Sequence, residues 1–450
     1  MGARPRRAGP IWTKIEQSVV ESTWRRFCWE TEFNTACYAH RMPSQVFPDP
    51  PAHPVTRHSM SPAVVVMMLT LLMGIQPVTT DLYLPALPTL MLALNIQVAA
   101  AQLTLSVLII CFGLAQLACG PLADKYGRKP VLLWGMVAYT VASVFSALAP
   151  SIEWLVVCRA LQGAAMAAAV TCGRAMVRDL FAPQEGARVM SHALSGLGAI
   201  AAVSPLLGGW LVQALNWHAV LLVLALYGAA TLAYLAWRFE ETAPQLNPRA
   251  TQLRPLMRSW RHVLNHPTFR AWTALISFSY GGVFLFLASS SFVYIDVLGF
   301  SRLGYGAAVA SNSLAYIAGT WLCRRWLVQR GVKRTVAWGG FVTLSGGLGM
   351  ATLSLAGLHS VWAVLIPQWL FALGHGIHQP CGQACAVGPF PEKAGTAASL
   401  SGFIVMVVAF AISLWLGSAL NGTVYPLTLG MAAFSIGVAT VAWTLVQRHG

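Results

Sequence analysis

From residue 60 onward the chain alternates between long apolar runs and short polar turns. Each run is about 20 residues long, the length an α-helix needs to cross ~30 Å of hydrocarbon. Six runs, at 62–84, 99–122, 131–149, 152–176, 188–215 and 217–237, precede a polar stretch, and six more, at 271–297, 305–326, 335–356, 361–387, 394–420 and 425–446, follow it. The bilayer core holds no water to satisfy backbone groups, so such runs have to be helices. The pattern predicts an all-α polytopic membrane protein of 12 transmembrane helices in two six-helix pseudo-symmetric halves, with a tail at 1–60, a first bundle at 61–238, a connector at 239–270 and a second bundle at 271–450.

Composition agrees: 56% of the residues are hydrophobic and only 10% are charged, against roughly 25% charged in a soluble domain. The net charge of +15 does not point to nucleic acid, because the bases fall in short clusters between apolar runs, where the positive-inside rule puts them. Lys125, Arg128 and Lys129, then Arg178 and Arg188, the connector, Arg324, Arg325, Arg330, Lys333 and Arg334, and finally Lys393 all lie at turns of one parity. The opposite turns hold little beyond Glu153, Asp296 and Arg302, so both termini are expected in the cytoplasm. The tail mixes bases and acids and turns proline-rich at 43–54. It reads either as a loosely ordered cytoplasmic extension or as a start placed too early, with Met60 the true one. Nine scattered cysteines show no disulfide or zinc spacing. There is no phosphate-binding glycine loop and no His-Glu-x-x-His.

The connector places Leu253, Leu256, Met257, Trp260, Val263 and Leu264 on one side of a helical pattern, with Arg254, Arg258 and Arg261 on the other. That is the pattern of an amphipathic helix on an anionic leaflet. The halves also echo each other: at an offset of 204, Gly127, Lys129, Trp134 and Gly135 fall on Gly331, Lys333, Trp338 and Gly339. Duplicated six-span halves with a site between them are a transporter architecture.

Four motifs carry a resemblance. The loop Gly120-Pro-Leu-Ala-Asp124-Lys-Tyr-Gly127-Arg128-Lys129 is similar to the signature loop of the major facilitator superfamily. Thr80-Asp81-Leu-Tyr83-Leu-Pro85-Ala-Leu-Pro88 resembles the acidic first-span motif of its bicyclomycin and chloramphenicol resistance (Bcr/CflA) branch, and Arg159-Ala-Leu-Gln162-Gly163 the fourth-span arginine motif. Gly198 through Ser204-Pro205-Leu-Leu-Gly208-Gly209 resembles the fifth-span antiporter motif, with Ser204 and Ile200 standing where glycine is usual. The resemblance runs from about residue 62 to the end and implies a drug:proton antiporter. Its expected partners are drug-like small molecules, protons and the lipid of a bacterial inner membrane, with the proton gradient as energy source, no cofactor and a monomeric state.

Apart from Glu153 and Asp296, each second from one end of its span, Asp81 is the one acid inside a predicted span, and an intramembrane carboxylate is a functional candidate by default. It is either a proton carrier or an outer-interface anchor, since Pro77 and Pro85 flank it. Arg159 is the second intramembrane charge; it either couples proton release to substrate or ties helices together. Gln76, Thr80 and Tyr83, with Gln162, Tyr280, Gln368, His375 and Gln379, are candidate cavity residues. His375, His378, Cys381 and Cys385 lack the ligand set of a convincing metal site, and no metal is expected. Asp124 pairs with Arg128 in this reading and faces the start of the eleventh span near Gly395 and Thr396. Together with Gly120, Gly127 and Lys129 it forms a candidate conformational latch. The leading expectation is proton-coupled efflux of amphipathic drugs. The alternatives are a metabolite exporter or uptake permease of the same fold and, from another class, a membrane enzyme or receptor, disfavoured because there is no nucleophile–base pair and no large domain outside the membrane.

Overall fold

The computed structural model describes residues 60–449 apart from 182, 244, 391 and 392; the expectations for the tail lie outside the described residues. In chain order the helices are α1 (Pro62–Thr80), α2 (Leu87–Leu94), α3 (Val98–Tyr126), α4 (Arg128–Ala147), α5 (Ile152–Leu180), α6 (Pro183–Ala214), α7 (Trp217–Arg238), α8 (Leu253–Asn265), α9 (Pro267–Ser291), α10 (Arg302–Leu355), α11 (Val361–Val387), α12 (Ala394–Ala419), α13 (Tyr425–Trp443) and α14 (Leu445–His449). Among the described residues no strand occurs, and ten helices are long and apolar enough to cross a membrane. One of the ten, α10, is two helices merged across a break at Gly331. A further helix, α11, falls outside the ten because it carries Gln368, His375, His378, Gln379 and Gln383. With α10 taken as two spans and α11 added, the count is the 12 expected.

The duplication is written into the backbone. Gly127, between α3 and α4, has φ 101° and ψ 158°, and Gly331, at the break in α10, has φ 71° and ψ 172°. Both values lie in a region open essentially to glycine alone. The offset of 204 therefore relates two glycines that make the same reversal. Gly120, by contrast, lies within α3 and takes no part in the turn. The reversal is a single residue, Gly127, with helix on both sides.

Glycines also set how closely the helices approach. Along α3 and α12, Gly113 faces Met406 and Gly417 faces Ala99. Along α6 and the first part of α10, Gly198 faces Ile317, Gly209 faces the backbone of Arg302, and Gly306 faces the Pro205 carbonyl. Toward the end away from Gly127, buried polar groups add a clasp. Gln102 Nε2 donates to the Ala288 carbonyl at 2.6 Å, and Ser106 Oγ donates to Ser413 Oγ at 2.7 Å. In α8, Val263 is buried and Leu256 and Trp260 are half-buried, whereas Leu253, Met257, Leu264, Arg254, Arg258 and Arg261 are exposed.

The start of α4 has no side-chain cap from Gly127 itself. Glu241, three residues beyond the end of α7, supplies one: its carboxylate accepts from the Arg128 N–H at 2.8 Å and the Lys129 N–H at 3.0 Å. It also accepts from the N–H groups of Thr242 and Ala243. Burial pushes this carboxyl toward its neutral form, but the four backbone donors outweigh that and hold its pKa below the usual value of 4.5. Glu241→Ala is expected to lower the stability of the detergent-solubilised protein by about 1 kcal/mol, the usual worth of a helix N-cap, read as a lower thermal midpoint. Because the folded pKa is depressed, this contribution is fully present above pH 4.5 and is lost as pH falls through the folded value. Equal midpoints for wild type and Glu241→Ala at neutral pH would show that the cap is not used.

Candidate functional site

The site begins where α1 stops being a helix. The Asp81 N–H still reaches the Pro77 carbonyl at 2.8 Å, but the Tyr83 N–H turns to the Thr80 carbonyl at 3.1 Å. The Thr79 carbonyl, which helical Tyr83 would have satisfied, is thereby released. Pro85, in the 3₁₀ turn Leu84–Ala86, has no N–H to offer the Asp81 carbonyl. Carbonyls freed at membrane depth need new donors, and Arg159 provides one: its Nη2 donates to the Thr79 carbonyl at 3.3 Å.

Around Arg159 the polar groups are completely enclosed. Nη1 donates to Gln162 Oε1 at 3.0 Å, and Gln162 Nε2 donates to Ser143 Oγ at 2.8 Å. The guanidinium lies 4.0 Å from the centre of the Tyr83 ring, a cation–π contact. The Tyr83 hydroxyl is 3.1 Å from Thr104 Oγ1, and Thr79 Oγ1 is 2.7 Å from the Tyr139 hydroxyl. Arg159, Gln162, Tyr83 and Thr79 each show 0% exposure. Among the described residues no carboxylate pairs with Arg159.

The second cluster is half-open. Asp81 is partly exposed, and its Oδ1 accepts from Thr80 Oγ1 at 2.8 Å. The same hydroxyl lies 2.9 Å from the Gln76 carbonyl. It has one proton, so it serves one of these acceptors at a time. Gln76 Nε2 donates to the Tyr280 hydroxyl at 3.1 Å, joining α1 to α9. The two residues are 204 apart, the offset that relates the halves. A contact between equivalent positions of two repeats lies on the axis relating them, so Gln76 and Tyr280 mark the pseudo-two-fold axis. Beyond Tyr280, His375 Nδ1 is 2.9 Å from Ser279 Oγ. Its ring lies between those of Tyr280 and Tyr316, with centroids 6.4 Å and 5.5 Å away.

The structure thus divides the candidate residues into groups. Asp81, Thr80, Gln76, Tyr280 and His375 come together; Arg159, Gln162 and Tyr83 form the enclosed network behind them. Gln368 is separate, its Nε2 3.4 Å from Asn312 Oδ1, and His378 turns from the cavity to the Val336 carbonyl at 3.3 Å. Gln379 is half-buried, with its carbonyl oxygen unpartnered among the described residues. In α6, Gly208 faces the Leu82 carbonyl just past Asp81, Gly209 and Pro205 meet α10, and Ser204 Oγ donates to the Ile200 carbonyl at 2.8 Å. At the reversal, Arg128 pairs with Asp124 and with Asp179, the latter at 3.0 Å, while Lys129 gives its backbone N–H to Glu241. Asp124 is half-exposed. The contact seen at Gly395 comes instead from Arg178, whose Nη1 would lie 3.3 Å from a Cβ placed there.

Three contributors were not anticipated from the sequence: Tyr316, Asp179 and Glu241. Asp179 stands one turn after the predicted end of its span, and Glu241 just after a span. Either could have been flagged as an acid beside the basic loop. Tyr316 had no signal, since an aromatic within a span is usually packing.

Twelve spans in two related halves, with a carboxylate near an on-axis polar pair, define a membrane transporter. The profile of the Major Facilitator Superfamily matches residues 69–414, and the chain belongs to that superfamily, whose members are transporters rather than enzymes. It is 28% identical to "Multidrug resistance protein D" of Escherichia coli (strain K12) over 340 residues, 75% of this chain and 84% of that protein. It is 30% identical to "Chloramphenicol resistance protein" of Pseudomonas aeruginosa over 320 residues, 70% of this chain and 74% of that one. To the "Bicyclomycin resistance protein homolog" of Haemophilus influenzae it is 26% identical over 386 residues, 85% and 96% of the two chains. The resemblance to the bicyclomycin and chloramphenicol resistance branch is thus met by curated relatives. Among solved structures, the human organic anion transporter MFSD10 superposes with a TM-score of 0.67 over 86% of this chain and 100% of that one, at 17% identity, a likeness of fold.

Two substitutions probe the Arg159 network and the helix crossing beside it separately. Arg159→Lys keeps a charge but cannot reach Gln162 and the Thr79 carbonyl together as a planar fork does. Transport is expected to fall at least about tenfold with unchanged protein in the membrane; full transport by this variant would remove the need for the fork. Gly163→Val drives its Cβ into the Leu108 backbone carbonyl, which has no flexible end to move. It is expected to cost about 1–3 kcal/mol, as overpacking does, seen as lost folded protein in size-exclusion profiles.

Proposed function

We propose that the protein is a proton-coupled exporter of amphipathic small molecules, working by alternating access in a bacterial inner membrane with both termini in the cytoplasm. The observation that carries this is the Gln76–Tyr280 hydrogen bond on the pseudo-two-fold axis, beside the half-open Asp81 carboxyl. In transporters built from two repeats, substrate and coupling ion meet near the midplane at the repeat interface.

The chemistry follows from Thr80. With Asp81 ionised, the Thr80 hydroxyl donates to Oδ1; with Asp81 protonated, the carboxylic acid no longer needs that donor and the hydroxyl serves the Gln76 carbonyl. Protonation of Asp81 thereby changes the bonding of the residue whose side chain holds Tyr280 across the axis. Substrate entering beside Tyr280, Tyr316 and His375 replaces the Gln76–Tyr280 contact and displaces the proton from Asp81, and the halves then rock. The clasp at Gln102 and Ser413 lies at the end opposite the basic loops and supports an arrangement closed toward the outside. Arg159 acts behind this site by holding the broken end of α1 in place. Chloramphenicol and bicyclomycin, taken from the names of the relatives, are the first substrates to try.

The test is drug-driven dissipation of a preformed pH gradient in inverted membrane vesicles. Chloramphenicol or bicyclomycin is expected to collapse part of the gradient with wild type and to have no effect with Asp81→Asn. Drug accumulation without proton movement, or gradient collapse that survives Asp81→Asn, would overturn the reading.

A further inference from the structure

The first part of α10 and the middle of α11 touch backbone to backbone. A Cβ on Gly319 would strike the Leu373 carbonyl, and one on Gly376 would strike the Tyr316 carbonyl. About one turn further along each helix are Cys323 and Cys381, brought together by the same close approach. Their sulfurs are 3.5 Å apart, and Cys323 Sγ also lies 3.7 Å from the Ile377 carbonyl. Both side chains are enclosed, at 1% and 5% exposure, in an apolar cluster with Trp272, Leu275 and Val336.

Two thiols held this way are more than two small core residues. A soft centre bonded to thiolate sulfur at about 2.3 Å would see sulfurs 3.5 Å apart at an angle of about 100°, close to pyramidal or tetrahedral bonding. A zinc ion would need at least one more protein ligand, and among the described residues no group of three or more His, Cys, Asp or Glu is arranged to hold a metal. A trivalent organoarsenical needs only two sulfurs, because its organic group is the third substituent. It is also apolar enough to reach an enclosed pair through lipid or the cavity.

We propose that Cys323 and Cys381 form a dithiol modification site that captures a trivalent organoarsenical as a cyclic dithioarsonite. For phenylarsine oxide the step is balanced without an oxidant. The two S–H bonds and the As=O bond are lost, two As–S bonds form, the two thiol protons leave with the oxygen as one water, and arsenic stays trivalent. The second As–S bond is intramolecular, so the fixed geometry supplies a high effective concentration. The bridge pins α10 to α11 beside the Tyr316–His375 wall of the cavity.

The experiment uses purified full-length protein carrying Cys28→Ser and Cys37→Ser, treated with phenylarsine oxide and read by intact mass and peptide mapping. That readout stands whether or not drug transport is found. The expected result is one phenylarsenic per chain, mapping to Cys323 and Cys381, retained in excess glutathione and removed by a dithiol such as dimercaptopropanol. Cys323→Ala and Cys381→Ala are each expected to lower occupancy at least tenfold while eluting as folded protein, and Cys119→Ala and Cys385→Ala to leave it unchanged. An adduct that persists in Cys323→Ala or Cys381→Ala, one that maps to Cys381 with Cys385, or no adduct in the otherwise unaltered protein would each overturn the proposal.

Discussion

The bond from Arg159 to the Thr79 carbonyl is the interaction on which the centre of this protein depends. A chain crossing a membrane cannot leave a carbonyl unpaired at low cost, yet Tyr83 turns away from Thr79 and Pro85 offers nothing to Asp81. The break in α1 is tolerable because a guanidinium, charged at any accessible pH and able to donate in several directions, takes the freed carbonyl and Gln162 together. That positive charge is itself offset by the Tyr83 ring and by hydrogen bonds rather than by a carboxylate. The consequence is a division of labour: the fixed cation is sealed behind α1, and the carboxylate that can change charge stands in front of it.

The close crossings serve the same end. Gly208 lets α6 lie against the Leu82 carbonyl at the broken end of α1, and Gly163 lets α5, which carries Arg159, lie against the Leu108 carbonyl of α3. Helix pairs between the two sets meet through glycines and a few hydroxyl and amide groups. Such contacts in membranes are worth about 0.6 kcal/mol each, and breaking and remaking them is within reach of substrate binding and proton movement.

The fold was almost entirely legible because span length, charge-free runs and basic turns each follow from one constraint, the apolar slab. The echo between halves was also visible as a few matching residues, and the positive φ shared by Gly127 and Gly331 shows what it encodes. The site was legible by type but not by grouping. Tyr83 and Gln162 share helix faces with cavity candidates, yet the break at Thr80–Tyr83 rotates Tyr83 under Arg159, and a local break changes facing in a way that periodicity cannot follow. The Asp124–Arg128 pair followed from their spacing of four on the chain, whereas Asp179 and Glu241 reach the same loop from elements 51 and 113 residues away from Arg128, a distance only tertiary structure closes.

The central claim is that the proton on Asp81 and the occupant of the on-axis site exclude one another. Proton release on drug binding, followed with a pH indicator in weakly buffered detergent solution, tests it without any membrane or gradient. The account predicts that chloramphenicol or bicyclomycin releases on the order of one proton per molecule bound by wild type and none from Asp81→Asn, which still binds. Undiminished release from Asp81→Asn, or binding to wild type with no release across the range where Asp81 titrates, would contradict it.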